Sequence, residues 1–244
     1  PSIWSGQSPI LFPIVGRLCS DSFTYRDKKY YLPKHGFARK SQFEILMASD
    51  ERASFRLEAS EETRRVYPFD FALTVEYALK DKTLSVSNAV KNLGNDEMYF
   101  SLGAHPAFNI EIGDFVKFSD YESFTTLLFN ESGLMSGEKA LAKRRKSIEI
   151  TEHSFDGDAL FFPNLASTSA KLVSKSGREL LKMDFGKVPF VGLWAKPGAP
   201  FVCIEPWYGI CDSPDVSGKI EEKPYINRLA AGEEFRFEYS ITVL

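Results

Sequence analysis

The sequence predicts an all-β chain of antiparallel strands, a sandwich or barrel with very little helix. Three observations carry that reading. Turn-forming residues recur about every 8–12 residues. The stretch Phe69–Leu79 alternates apolar and polar side chains with the period of a half-buried strand. No segment holds apolar residues at helical spacing for long enough to form a helical layer.

Taken in order, the run Leu11–Val15 is apolar, then broken by Gly16 and charged at Arg17. Ser22–Tyr25 and Lys29–Leu32 flank Arg26-Asp27-Lys28 as a hairpin. Lys34-His-Gly-Phe-Ala-Arg-Lys40 is a loop rich in basic residues. Gln42–Ala48 and Ser54–Ala59 alternate as strands. In the next strand Phe69, Phe71, Leu73, Val75, Tyr77 and Leu79 share one face, and Asp81-Lys82 turns the chain into its partner, Thr83–Val90. Glu97–Leu102 is a strand that Gly103-Ala-His-Pro106 ends, because proline cannot donate to a ladder. Phe115–Phe118, Phe124–Phe129, Ser147–Ile150 and Ala159–Phe162 are short strands, with the basic run Lys143–Lys146 a solvated turn among them. Ala170–Ser174 and Glu179–Met183 form a hairpin around Gly177. Phe190–Ala195 and Phe201–Glu205 flank the turn Lys196–Pro200. Gly218–Leu229 has room for a helical turn. Glu234–Leu244 closes the chain with Phe235, Phe237, Tyr239, Ile241 and Val243 inward.

A chain of 244 residues suits one large domain, residues 1–244. Such a domain buries roughly 70% of its unfolded surface and needs no disulfide staples. A net charge of −3, with no basic run beyond Lys143–Lys146, argues against nucleic acid or an anionic membrane as partner. The three cysteines, Cys19, Cys203 and Cys211, are an odd number at spacings that fit neither zinc nor redox motifs, which points to a reducing compartment, the cytoplasm. No apolar run is long enough to span a bilayer. The opening Trp4-Ser-Gly-Gln-Ser-Pro9 reads as mid-domain sequence, so native N-terminal residues are expected to be missing.

The chemistry centres on Pro200–Asp212. Phe201–Ile204 reads as a buried strand with Glu205 at its end, where Pro206 stops it; Trp207 and Tyr208 follow. A carboxylate among apolar and aromatic residues is costly to desolvate unless it has partners or a task. Its structural role would be bonding to backbone amides or an arginine. Of the three histidines, His153 lies in a polar stretch and belongs on the surface. His105 lies in an apolar turn at a strand end, and His35 precedes Gly36 in a loop. There is no His-x-His, no His-Glu-x-x-His and no paired cysteines, so no metal is expected. Neither a phosphate-binding glycine loop nor Gly-x-Ser-x-Gly occurs. What is left is a His and a Glu, each at the end of an apolar strand. Such a pair suits a reaction that only moves protons on a polyol, with no cofactor.

The ordered set Ser8–Arg17, His35-Gly-Phe-Ala-Arg39, Tyr67-Pro-Phe-Asp-Phe71, Ser101–Phe108, Asp158-Ala-Leu-Phe-Phe162 and Val202–Trp207 closely resembles the aldose 1-epimerase (mutarotase) family, in particular its LacX-like branch. The resemblance runs over nearly the whole chain. It implies a large antiparallel β-supersandwich of the galactose mutarotase type, with further strands ahead of the first landmark. It also implies a mechanism in which Glu205 takes the proton from the C1 hydroxyl of a pyranose and His105 protonates the ring oxygen. The C1–O5 bond then opens, C1–C2 rotates, and reclosure gives the other anomer. By the same resemblance His35, Arg17 and Arg39 contact the substrate. Asp158 binds a hydroxyl, although Asp156 would face the same side of a strand. Trp207 is a wall of the sugar site or simply core. Arg17 and Arg39 also have a structural reading, as partners that offset a buried carboxylate. The substrate is a hexose or hexose phosphate, since arginines in this superfamily hold phosphate or hydroxyls. The protein is a monomer or homodimer. Two other classes stay open: a non-catalytic sugar-binding or sensing module, and a glycosidase using Asp158 with Glu205.

Overall fold

The computed structural model describes residues 3–244. Strands take 52% of the residues against 6% in helix, so the molecule is all-β, as the turn spacing predicts. In the first half the strands are β1 (Ile10–Leu11), β2 (Ser22–Tyr25), β3 (Lys28–Tyr31), β4 (Glu44–Ala48), β5 (Arg52–Glu58), β6 (Phe71–Lys80), β7 (Thr83–Asn92), β8 (Met98–Phe100), β9 (Leu102–Ala104) and β10 (Ala107–Asn109). In the second half they are β11 (Phe115–Phe129), β12 (Met135–Glu149), β13 (Leu160–Pro163), β14 (Ser169–Val173), β15 (Glu179–Asp184), β16 (Phe190–Trp194), β17 (Phe201–Tyr208), β18 (Asn227–Leu229) and β19 (Glu234–Val243).

One antiparallel supersandwich sheet runs β1-β9-β17-β16-β13-β11-β14-β15-β19-β7-β6-β5-β4, with β10 also on β17 and β12 also on β11. The hairpins follow local chemistry. Asp81, left-handed at φ 52°, opens the two-residue turn between β6 and β7. Arg26 and Asp27, both at positive φ, turn β2 into β3, so Lys28 belongs to the strand rather than the turn. Phe71, Leu73 and Val75 of β6 are fully buried, whereas Leu79 and Val243 lie exposed where their strands run past the core.

Several expectations are corrected. The two short strands read within 115–129 are one fifteen-residue strand, β11, whose register shifts absorb irregular pairing with β12. The basic run Lys143–Lys146 is no turn but part of β12. That strand is solvated along nearly its whole length, so it carries no apolar alternation to read, and its charges guard a sheet edge. A short helix, α1 (Glu61–Val66), was not anticipated. Six residues are too few to show a helical period, and the signal is the Ser60 cap, whose hydroxyl accepts from the Thr63 N–H.

Two corrections concern the site. Gly103 and Ala104 do not end pairing: they belong to β9, while β8 pairs separately with β18. Pro206 does not stop its strand, for β17 continues to Tyr208 with Pro206 opposite Val191. The Ile204 N–H bonds the Pro106 carbonyl, on the side of β17 that faces β9 and β10. Two residues on, the donor that proline lacks would point to that same side, toward Ala104 at the end of β9, where the paired ladder with β17 has already stopped at Gly103. The lost hydrogen bond therefore falls where no ladder exists to need it.

The core divides in two. A large cluster runs from Phe12 and Phe71 through Phe100, Phe118, Phe162 and Ile204. A smaller one gathers Leu11, Val15, Leu127, Phe161, Phe190, Trp207, Ile210 and Cys211. Because β17 is packed on both faces, its sequence is a continuous apolar run rather than an alternating one. Among the described residues no helix is long and apolar enough to cross a membrane.

Candidate active site

The strand β17 lays down the first component. Glu205 and Trp207, two residues apart, share one face of the pleat. The neighbouring chain supplies the second. Gly103 of β9 stands opposite Trp207, and Ala107 of β10 stands opposite Cys203. Both pairings belong to one continuous register, which sets His105, in the break between them, directly across from Glu205. Directly opposed side chains lie on the same face and in reach of each other. The His105 Nε2 and the Glu205 Oε2 are 3.2 Å apart, with only 8% and 3% of the two residues exposed.

Burial dominates the electrostatics. It pushes the Glu205 carboxyl well above the usual carboxylate range; the Lys34 charge pulls the other way, and Asp158 adds to the rise. The Trp207 indole N–H, which has no hydrogen-bond partner among the described residues, also pulls downward. Burial likewise pushes the His105 imidazole down to about 3, against an upward pull from its own backbone, with Lys34 and Arg39 pushing further down. Each group is thus driven to its neutral form, and the short contact lets one proton serve both.

His35 is held by the loop that follows Pro33. The Gly16 N–H donates to its Nδ1 at 3.1 Å, while its own N–H donates to the Gly16 carbonyl. With Nδ1 accepting, the ring proton sits on Nε2. Burial first, then the charges of Lys34, His105 and Arg39, hold the ring neutral, so His35 is a hydrogen-bond donor rather than an acid. Gly36 makes the loop possible: its φ is +66°, and a Cβ there would sit 2.2 Å from the Phe12 carbonyl oxygen.

These residues line a cavity of about 250 Å³, the small end of ligand pockets. It brings together His105, Glu205, His35, Arg39, Asp158 and Trp207. Asp158 is exposed and left-handed at φ 75°, in a turn ahead of β13 rather than in a strand. Asp156 is not part of the lining and instead bonds His153. Arg17 also stands outside the lining. Its Nε pairs with Asp21 at 3.3 Å and its Nη1 reaches the Ser132 carbonyl at 3.5 Å, at the rim beside Gly16 and Gly133.

Sequence reasoning missed Lys34, Trp4 and Trp194, which also line the cavity. Lys34 had a signal, its place next to His35. Arg39 donates to the Lys34 carbonyl at 2.9 Å, and among the described residues neither cation forms a salt bridge. Cys203 was missed as well. Its sulfur, a His105 nitrogen and a Glu205 oxygen lie within 4.8 Å of one another, a set of metal-ligand types. Burial, then the neighbouring Glu205, pushes that thiol up and holds it protonated.

A family model described as aldose 1-epimerase matches residues 2–242. The chain is 31% identical over 261 residues to the chromosomal Protein LacX of Lactococcus lactis subsp. lactis, covering 100% of this chain and 87% of that protein. Among solved structures it superimposes on a galactose mutarotase related enzyme from Lactobacillus acidophilus with a TM-score of 0.93 at 32% identity, covering 100% of this chain and 85% of the other. A galactose mutarotase-like protein from Lactobacillus casei gives 0.92 at 25% identity, with 100% and 87% covered.

Proposed function

Because the chain belongs to the aldose 1-epimerase family, we propose that it is a mutarotase interconverting the α and β anomers of a hexose or hexose phosphate, with Glu205 and His105 as its acid–base pair. The observation that carries this reading is the 3.2 Å contact between the two side chains. The hemiacetal oxygens O1 and O5 are bonded to one carbon, so the groups that act on them must themselves be neighbours. A glycosidase instead spaces two carboxylates about 5–9.5 Å apart around the scissile bond. Here the group touching Glu205 is an imidazole.

In the proposed reaction Glu205, as carboxylate, takes the O1 proton while His105, as imidazolium, gives its proton to O5. The C1–O5 bond breaks and the O1 electrons form the aldehyde. Rotation about C1–C2 presents the other carbonyl face. On reclosure His105 recovers the O5 proton, O5 attacks C1, and Glu205 returns its proton to O1. The pair begins and ends with one proton, and no cofactor enters. The His35 Nε2–H serves as a fixed donor to a ring or hydroxyl oxygen, and Asp158 accepts from a hydroxyl. Lys34 and Arg39, cations without carboxylate partners, favour the phosphorylated form of the substrate.

NMR exchange between anomers, run against a no-enzyme control for free and phosphorylated sugars, tests the proposal. Catalysed exchange that disappears in Glu205→Gln supports it. Sugar binding with no exchange by the unmodified protein would mark a non-catalytic sugar-binding module instead.

A further inference from the structure

The imidazole of His105 has no hydrogen bond to hold it from behind. Its Nε2 meets Glu205, but its Nδ1 is buried and finds no partner among the described residues. An acid–base histidine is ordinarily oriented by a third group bonded to its second nitrogen. Here the ring is set among aromatic faces. The Trp4 indole stacks on it at 5.1 Å between centroids and 29° between planes. Trp194 and His35 meet it edge-on at 85° and 80°.

Trp4 comes from outside the sheet. It sits on the arm that precedes β1, where Ile3, Ser5, Gln7 and Ser8 are exposed and Trp4 is half-buried. The ring is held in turn by Phe201, stacked at 5.6 Å and 14°, and by Trp194 at 5.6 Å. It also folds back over Gly6, where a Cβ would lie 2.2 Å from the indole. The glycine is therefore the space that the ring occupies.

We infer that Trp4 is the positioning residue of the acid: in place of a hydrogen bond to Nδ1, the indole face fixes the plane of the His105 imidazole toward Glu205 and supports its charged form. This rests on His105 being the acid, as proposed above. An indole face attracts a cation, and an imidazolium lying on it gains what a neutral ring does not. The charged and titratable groups facing His105 from elsewhere are Glu205 and Cys203 on β17 and His35, Lys34 and Arg39 in the loop after Pro33. None of them is changed by a substitution at residue 4 or 6.

The experiment combines steady-state kinetics with NMR titration of the histidines labelled at Cε1 in Trp4→Leu, Trp4→Phe, Gly6→Ala and Trp4→Leu/Gly6→Ala. Trp4→Leu lowers kcat roughly tenfold, the scale of a misoriented catalytic group, with KM changed less. It also lowers the pH at which His105 takes up a proton by roughly half a unit to one unit. Trp4→Phe restores most of both. Gly6→Ala, whose added methyl meets the Trp4 indole first, reproduces Trp4→Leu, and the double variant is no worse than either. Unchanged kcat and His105 titration in Trp4→Leu, or additive losses in the double variant, overturn the inference. If His105→Asn keeps full activity, the acid assignment fails instead, and the titration still reports whether Trp4 holds the ring.

Discussion

His105 and Glu205 are cross-strand neighbours, 3.2 Å apart, although they stand a hundred positions apart in the chain. Their meeting follows from one register: β9 and β10 pair with β17 as if they were a single strand, and the break between them leaves His105 opposite Glu205. The prolines at 106 and 206 both stand at that break. It interrupts the ladder on β17 there, and the two side chains at it, His105 and Glu205, line the cavity.

A pair that holds one proton between two neutral-leaning groups has a wide active range. An isolated carboxylate and imidazole would both be in the reactive state only between about pH 4.3 and 6.5. Here burial raises Glu205, so the last proton leaves above the usual carboxylate range, and it lowers His105 to about 3, so the second proton arrives only in acid. The acid limb of kcat/KM is therefore expected to move down toward about pH 3, and the alkaline limb to belong to the raised Glu205 carboxyl. An acid limb at about pH 4.3, the ordinary carboxylate value, would show the two groups titrating independently.

The same shifts make stability depend on pH with opposite signs. Glu205 has a raised folded pKa, so its contribution is fully present below the usual 4.5 and is lost as pH rises through the folded value. Glu205→Gln should therefore melt higher than the parent at pH 8, with the gain shrinking toward pH 4. For a chain of this size each kcal/mol is worth about 2–4 °C. His105 has a depressed folded pKa, so its contribution is present above the usual 6.5 and is lost as pH falls toward about 3. His105→Asn should gain on the parent below pH 6. Thermal unfolding across pH checks both, and a Glu205→Gln gain that is constant with pH would contradict the raised carboxyl.

The cations at the cavity make a separate expectation. Arg39→Ala should raise KM for a hexose phosphate by roughly tenfold or more, the scale of a lost charge-assisted contact, and leave a free hexose within about threefold. Lys34→Ala should act in the same direction but more weakly as salt is raised. Equal effects on both sugars would remove phosphate from the substrate assignment.

Much of this was legible in the residues. The hairpins around Asp81 and Gly177, the buried run of β17 and the closing strand β19 follow from alternation and turn chemistry. His105 and Glu205 stood out because each is polar at the end of an apolar strand. What could not be read was pairing: nothing local says that β9 and β10 share one partner, or that Pro206 faces the end of β9, past the last paired residue. The solvated edge strand β12 hid its fold because it has no buried face. Trp4 was hidden for another reason. It lies on an arm without regular structure, and only the fold shows which ring it covers.

The most direct test of the central claim is the rate of anomer exchange, measured by NMR, in His105→Asn and Glu205→Gln proteins whose fold is verified by thermal unfolding. The account predicts a loss of at least roughly 100-fold in each, the scale of missing acid–base catalysis. Exchange near the parent rate in either variant would contradict it.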